Sequence, residues 1–130
     1  MTGPRWIDRR ALLLLHAEGL REHGGPEGVR DAGLLESALD RPRNLAANEP
    51  ESDLPRLAAC YAVGIARNHP FVDGNKRAAF LSLGLFLALN GLRLVADRVE
   101  AVRVMVDVAA GTTDELELAD WVRANIAIRD

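Results

Sequence analysis

The chain predicts an all-α fold, a compact bundle of about six helices around one buried central helix. Three observations carry that expectation. Apolar residues return at three- and four-residue steps in six separate stretches, most stretches open on a capping residue and close on glycine or proline, and only Leu92 to Val95 could run extended. At 130 residues and 48% hydrophobic composition the chain can bury one core and is too small for two, so residues 1–130 read as a single domain. There is no internal repeat, no low-complexity tract and no heptad run long enough for a coiled coil.

Taken in order, Asp8 can cap a first helix reaching Glu22, because Leu12, Leu13, Leu15, His16 and Leu20 gather on one side and Gly24-Gly25-Pro26 stops it. His23 to Gly33 is then a loop. Asp31 caps a short second helix through Leu34, Leu35, Ala38 and Leu39, which Pro42 is expected to end within a turn, and Asn44 to Asp53 follows as polar linker. Leu57, Ala58, Tyr61 and Ile65 mark a third helix, Leu54 to Asn68, that must finish before Pro70. A fourth starts near Gly74 and stops at Asn90-Gly91. Between Ala78 and Leu89 only Ser82 and Gly84 interrupt the apolar run, so this helix is the expected buried axis. Two more follow, Asp97 to about Ala110 and about Thr113 to Ile126, the last with Thr112 and Glu115 at capping-box spacing.

Charge and composition exclude several functions. Sixteen Lys and Arg against nineteen Asp and Glu leave a net charge of -3, which offers no global basic surface to a nucleic-acid backbone. Direct nucleic-acid binding is not expected. The single cysteine, Cys60, sits in an apolar run and reads as a buried structural thiol. Met1 to Arg10 has no secretory-signal pattern and no apolar stretch is long enough to span a membrane, so a cytoplasmic protein is expected. His16 and His23, seven residues apart without Cys or carboxylate at ligand spacing, do not make a structural zinc site.

One segment is dense in chemistry: His69-Pro70-Phe71-Val72-Asp73-Gly74-Asn75-Lys76-Arg77. The first turn of a helix after Gly74 gathers unpaired N–H groups and the positive end of the helix dipole, while Asn75, Lys76 and Arg77 add donors. That is a fixed anion site suited to phosphate. His69 can accept a proton from a hydroxyl at neutral pH, Asp73 can hold a magnesium ion bridging phosphate oxygens, and Phe71 reads as ordinary core. Taken singly, the histidine reads as structural, the aspartate as a helix cap and the Lys-Arg pair as a solvated face. Their concentration in nine residues favours the site. A P-loop is excluded, since no glycine lies five residues before Gly74 and Ala78 stands where a Ser or Thr would be needed.

These nine residues resemble the signature loop of the Fic/Doc superfamily. The Fic branch is similar to HxFx(D/E)GNGRxxR; this chain has Lys76 in the position of the glycine after the asparagine and Phe80 in that of the second arginine, as the Doc (death-on-curing) branch has. The resemblance extends to His23-Gly24-Gly25, to Gly33 through Leu39, to Ala66-Arg67-Asn68 and to Leu87 through Leu94. It implies a compact Fic/Doc-type helical bundle and the toxin of a type II toxin–antitoxin pair. Such a toxin transfers the terminal phosphoryl group of ATP to a hydroxyl of a translation factor similar to elongation factor Tu, arresting translation. Carried over, His69 is the base, Asp73 the magnesium ligand, Lys76 a catalytic cation, and Arg67, Gly74, Asn75, Lys76 and Arg77 the phosphate contacts. The implied partners are ATP, Mg2+, the protein target, and a Phd-like antitoxin whose disordered tail folds over the active-site groove. Two alternatives stay open: a Fic-type transferase moving AMP to a protein hydroxyl, and a non-enzymatic module docking an acidic peptide at the helix mouth.

Overall fold

In the computed structural model, which describes residues 3–130, the helices are α1 (Arg9–His23), α2 (Ala32–Asn48), α3 (Leu54–Asn68), α4 (Asn75–Leu89), α5 (Arg98–Ala110) and α6 (Glu115–Ala124), with short strands β1 (Leu92–Leu94) and β2 (Ile126–Ile128). Aspartate opens five of the six helices. Asp8, Asp31, Asp53, Asp97 and Asp114 each accept a hydrogen bond from a first-turn N–H through the side chain, the exchange that replaces a missing intrahelical partner. The exception is α4, which begins at Gly74 without any side-chain cap.

The bundle has one buried central helix, and it is α3 rather than α4. Eleven residues of α3 are buried, and the helix packs against α2, α4, α5 and α6. Hydrophobicity alone favours α4, but Ala58, Ala59, Cys60, Ala62, Gly64 and Ala66 give α3 a slim surface that neighbours can approach from every side. On α4, Leu89 and the partly buried Phe80 and Leu85 remain toward the outside. Tyr61, Phe71, Phe86, Leu12, Leu35 and Leu83 are among the largest fully buried side chains. The Cys60 thiol is buried too, and burial pushes its pKa up to about 11.

Pro42 does not end the second helix. It lies inside α2, which continues to Asn48, so the polar linker contracts to Glu49–Asp53. A proline in a helix interior costs about 3 kcal/mol. Burial of Pro42 itself and packing of Leu45 and Ala46 on the core offset that cost, and Arg43 adds a contact over the Trp6 ring at 5.8 Å.

The last helix also differs from expectation. Its capping box is Asp114 with Glu117, each side chain accepting the other's backbone N–H. Thr112 and Glu115 are occupied elsewhere: the Thr112 hydroxyl donates to the Asp107 carbonyl, and Glu115 pairs with both Arg41 and Arg56. The helix stops at Ala124, and Ile126–Ile128 pairs antiparallel with Leu92–Leu94 in the register Leu92 with Ile128 and Leu94 with Ile126. The extended reading of Leu92 to Val95 holds in β1; of its partner strand, only Ile126 lies in the stretch expected to be helical, and three residues carry no period of their own to mark a strand.

Both ends of the described chain attach to one corner. Arg5 and Asn90 exchange two hydrogen bonds, Arg5 N–H to Asn90 Oδ1 at 2.8 Å and Asn90 Nδ2 to the Arg5 carbonyl at 3.0 Å, and the Arg129 N–H donates to the Gly91 carbonyl. The opposite end of α4 carries the chemistry. No helix among the described residues is long and apolar enough to cross a membrane.

Candidate active site

The loop between α3 and α4 is held from both sides. At the end of α3, His69 takes a left-handed backbone, φ 53° and ψ 53°, while its N–H still reaches the Ile65 carbonyl. It is the one non-glycine residue with positive φ among those described, and an L-residue there costs about 1–2 kcal/mol unless its surroundings fix it. Pro70 cannot continue the helix, and Phe71 drives its ring fully into the core. Gly74 is left-handed as well, at φ 74°, and a Cβ there would lie 3.4 Å from His16 Nε2.

Asn75 fixes the shape of the loop. Its Oδ1 accepts the Phe71 N–H, and its Nδ2 donates to the Phe71 carbonyl, both at 2.9 Å. These two bonds set the orientation of the amide, so the same Nδ2 donates its second hydrogen to His69 Nδ1 at 3.1 Å. In the neutral ring, the His69 proton therefore rests on Nε2. The carboxamide of Asn75 is fully engaged inside the loop, and what it can offer a phosphate is its backbone N–H.

Two elements distant in sequence brace this arrangement. From α1, His16 stacks on Phe71 with ring centroids 3.8 Å apart and donates from Nε2 to the Asp73 carbonyl at 2.8 Å. From the loop between α1 and α2, the Arg30 and Asp31 N–H groups donate to the Pro70 carbonyl, Val72 N–H donates to the Gly28 carbonyl, and Val29 bridges Phe71. The Arg30 side chain adds Nε to the His69 carbonyl at 2.8 Å and Nη2 to the Asn68 carbonyl at 3.0 Å. That loop borders the site directly.

The mouth of α4 meets the physical requirements of an anion site. Helix geometry leaves the N–H groups of Asn75, Lys76 and Arg77 without intrahelical partners, and no side chain caps them. Asp73 is not the cap: its Oδ1 accepts the Gly74 N–H at 2.8 Å, ahead of the helix. Among the described residues, neither Lys76 nor Arg77 forms an ion pair. The Arg77 stem lies across Gly19 of α1, where an added Cβ would come within 3.0 Å of Arg77 Cδ.

His69, Asp73, Gly74, Asn75, Lys76 and Arg77 converge on one groove of about 460 Å³, which His23 and Gly24 complete. Arg67 does not join them; it stands exposed on the last turn of α3, outside the groove lining. Phe80 is partly buried against the core. No group of three or more His, Cys, Asp or Glu suited to a metal occurs among the described residues. Asp73 is a single carboxylate beside an anion site, which fits magnesium held chiefly by phosphate oxygens and water.

Sequence reasoning missed Arg30, His16 and Gly19. His16 had a signal, a titratable side chain on the apolar side of its helix, and so did Gly19, a glycine inside a helix. Arg30 had none.

Residues 6–87 match the model of the Fic/DOC family. The chain is 36% identical over 119 residues to the protein named Protein kinase doc of Escherichia phage P1, covering 92% of this chain and 94% of that protein. It is 41% identical over 95 residues to Toxin Doc of Mycolicibacterium smegmatis, covering 71% of this chain and 69% of that one.

Proposed function

Since the chain belongs to the Fic/DOC family, on its Doc branch, we propose that it is the toxin of a toxin–antitoxin pair and transfers the terminal phosphoryl group of ATP to a protein hydroxyl. The observation that carries the reading is Lys76 in the first turn of α4, lining the groove with His69 and Arg77 beside uncapped N–H groups. A lysine there replaces the backbone space of the Fic glycine with a point charge, so the phosphates sit differently from those of an AMP transferase. The relative from phage P1 bears the name of a protein kinase, which supports the same choice.

In the proposed reaction the hydroxyl oxygen of the target forms a bond to the γ-phosphorus, the bond from that phosphorus to the β–γ bridging oxygen breaks, and ADP leaves. The hydroxyl proton passes to His69. Because Asn75 holds Nδ1 at rest, the ring proton has to move to Nδ1 and the Asn75 contact has to open before Nε2 can accept. Lys76, Arg77 and the N–H groups of α4 orient the phosphates, Gly74 admits them closely, and Arg67 would contribute only from outside the groove. Asp73 is the residue that would hold magnesium, which neutralises phosphate charge when bound.

The target is a translation factor similar to elongation factor Tu, and the antitoxin is Phd-like, with a disordered tail that folds across the groove; both follow from the Doc resemblance. The groove's exposure and the loop His23 to Gly33 beside it suit a protein substrate. Incubation of the chain and candidate target with ATP labelled at the α or γ position tests the proposal. Transfer of γ label alone is expected. Transfer of α label would replace phosphoryl with adenylyl transfer, and toxicity undiminished in His69→Ala would favour a binding module.

A further inference from the structure

We propose that Arg30 is the positioning residue of His69, and this inference rests on the reading of His69 as the base. A helix leaves its last carbonyls without partners, and at the end of α3 two of them, on Asn68 and His69, accept from the fork of one guanidinium, at 3.0 and 2.8 Å. The second belongs to the residue with the left-handed backbone. Arg30 thus supplies the bond that fixes the strained peptide, and a cation at a helix C-terminus is also favoured by the dipole.

The ring is held separately, by Asn75 at Nδ1. Asn75 sets the resting rotation of the imidazole and releases it before transfer, whereas Arg30 sets, at rest and during transfer alike, the point from which the side chain departs. The Arg30 and Asp31 N–H groups on the Pro70 carbonyl hold the same stretch of main chain from the next residue. Arg30 is exposed and does not line the groove, so it does not touch substrate. Its removal acts on the geometry of transfer and leaves nucleotide affinity alone.

The test compares the wild-type chain with Arg30→Met, which keeps the stem and loses every donor, and with Arg30→Gln, which keeps one donor without charge. For Arg30→Met the expected result is a kcat lower by about 10- to 100-fold, a nucleotide Kd within about twofold of wild type, and partial recovery of kcat in Arg30→Gln. Long-range proton–nitrogen NMR of the His69 ring gives a readout that needs no turnover. Wild type should show a protonated Nε2 and an unprotonated Nδ1, and Arg30→Met should move both toward averaged values. An unchanged ring spectrum overturns the inference whatever the activity, and so does a loss of nucleotide affinity with kcat retained. A wild-type chain that transfers no label sinks the functional reading and leaves the spectroscopic comparison standing. If Arg30→Met does not fold, Arg30→Gln is measured alone, and wild-type values for both kcat and ring spectrum then overturn the proposal.

Discussion

Gly19→Ala separates stability from function, because the two should move in opposite directions. Gly19 lies inside α1, where glycine costs about 0.5–1 kcal/mol relative to alanine. Replacing it should raise stability by about that amount and the melting temperature by roughly 2–5 °C for a chain of this size. The new Cβ would approach Arg77 Cδ to 3.0 Å, and among the described residues that side chain is the only neighbour within 4 Å outside the adjoining stretch of α1 itself. Arg77 is flexible, so the clash is relieved by moving its stem off α1. That withdraws a charge-assisted hydrogen bond from any phosphate at the α4 mouth, worth about 1.5–3 kcal/mol, or roughly 10- to 150-fold in nucleotide Kd. Gly84→Ala is the control, since among the described residues nothing outside the adjoining stretch of α4 lies within 4 Å of its added Cβ; it should stabilise without touching affinity. Calorimetric titration with ATP and magnesium, alongside thermal melting, measures both quantities. Unchanged affinity in Gly19→Ala would refute the placing of Arg77 by Gly19, and a lower melting temperature would show that the crowding falls on something more rigid than one side chain.

His69→Ala should lower transfer by about 100-fold or more, the usual worth of a general base, with a folded protein by circular dichroism; full growth arrest from a well-expressed variant would remove His69 from the mechanism. Asp73→Asn should abolish the magnesium dependence of nucleotide binding while moving the melting temperature little, because its Oδ1 holds only the Gly74 N–H and an amide oxygen can replace it. Retained magnesium dependence with a steep loss of stability would make Asp73 structural. Asp53 accepts two bonds from Arg123 and has its pKa held below the usual carboxylate value by that contact. A lowered folded pKa contributes stability above the ordinary carboxylate range and loses it as pH falls through the folded value. Asp53→Asn should therefore flatten the acid limb of the stability curve below about pH 4, by no more than about 1 kcal/mol for so exposed a pair. An acid limb parallel to wild type would assign the limb to other carboxylates.

What the sequence revealed followed the range of each interaction. Helix starts were legible because a cap is settled within three residues, as at Asp8, Asp31 and Asp97. The loop from His69 to Arg77 was legible because its members are contiguous, and the chain gathers six of them in one groove while Arg67 stays outside. Interactions spanning the fold were not. Pro42 reads as a stop until the packing of Leu45 and Ala46 is known, and Ile126–Ile128 becomes a strand only beside Leu92–Leu94. The central position of α3 follows from how closely small residues let other helices approach, which a hydrophobicity pattern does not express. The residues that brace the loop lie far from it in the chain, Arg30 39 positions from His69 and His16 57 from Asp73.

The tethering of Arg5 and Arg129 to Asn90 and Gly91 gives the molecule a working end and a handling end. The loop ends at the first residue of α4 and both tethers lie just past its last, so the 15 residues of the helix, roughly 22 Å, separate them. An affinity tag, a fluorescent protein or a surface linker joined before Arg5 or after Arg129 would emerge away from the groove and leave it open to a protein-sized visitor. The same closeness makes the chain a substrate for circular permutation: a short bridge between the two tethered segments would release new termini at Glu49–Asp53, at the opposite end of α2 from Asp31, whose N–H meets the loop.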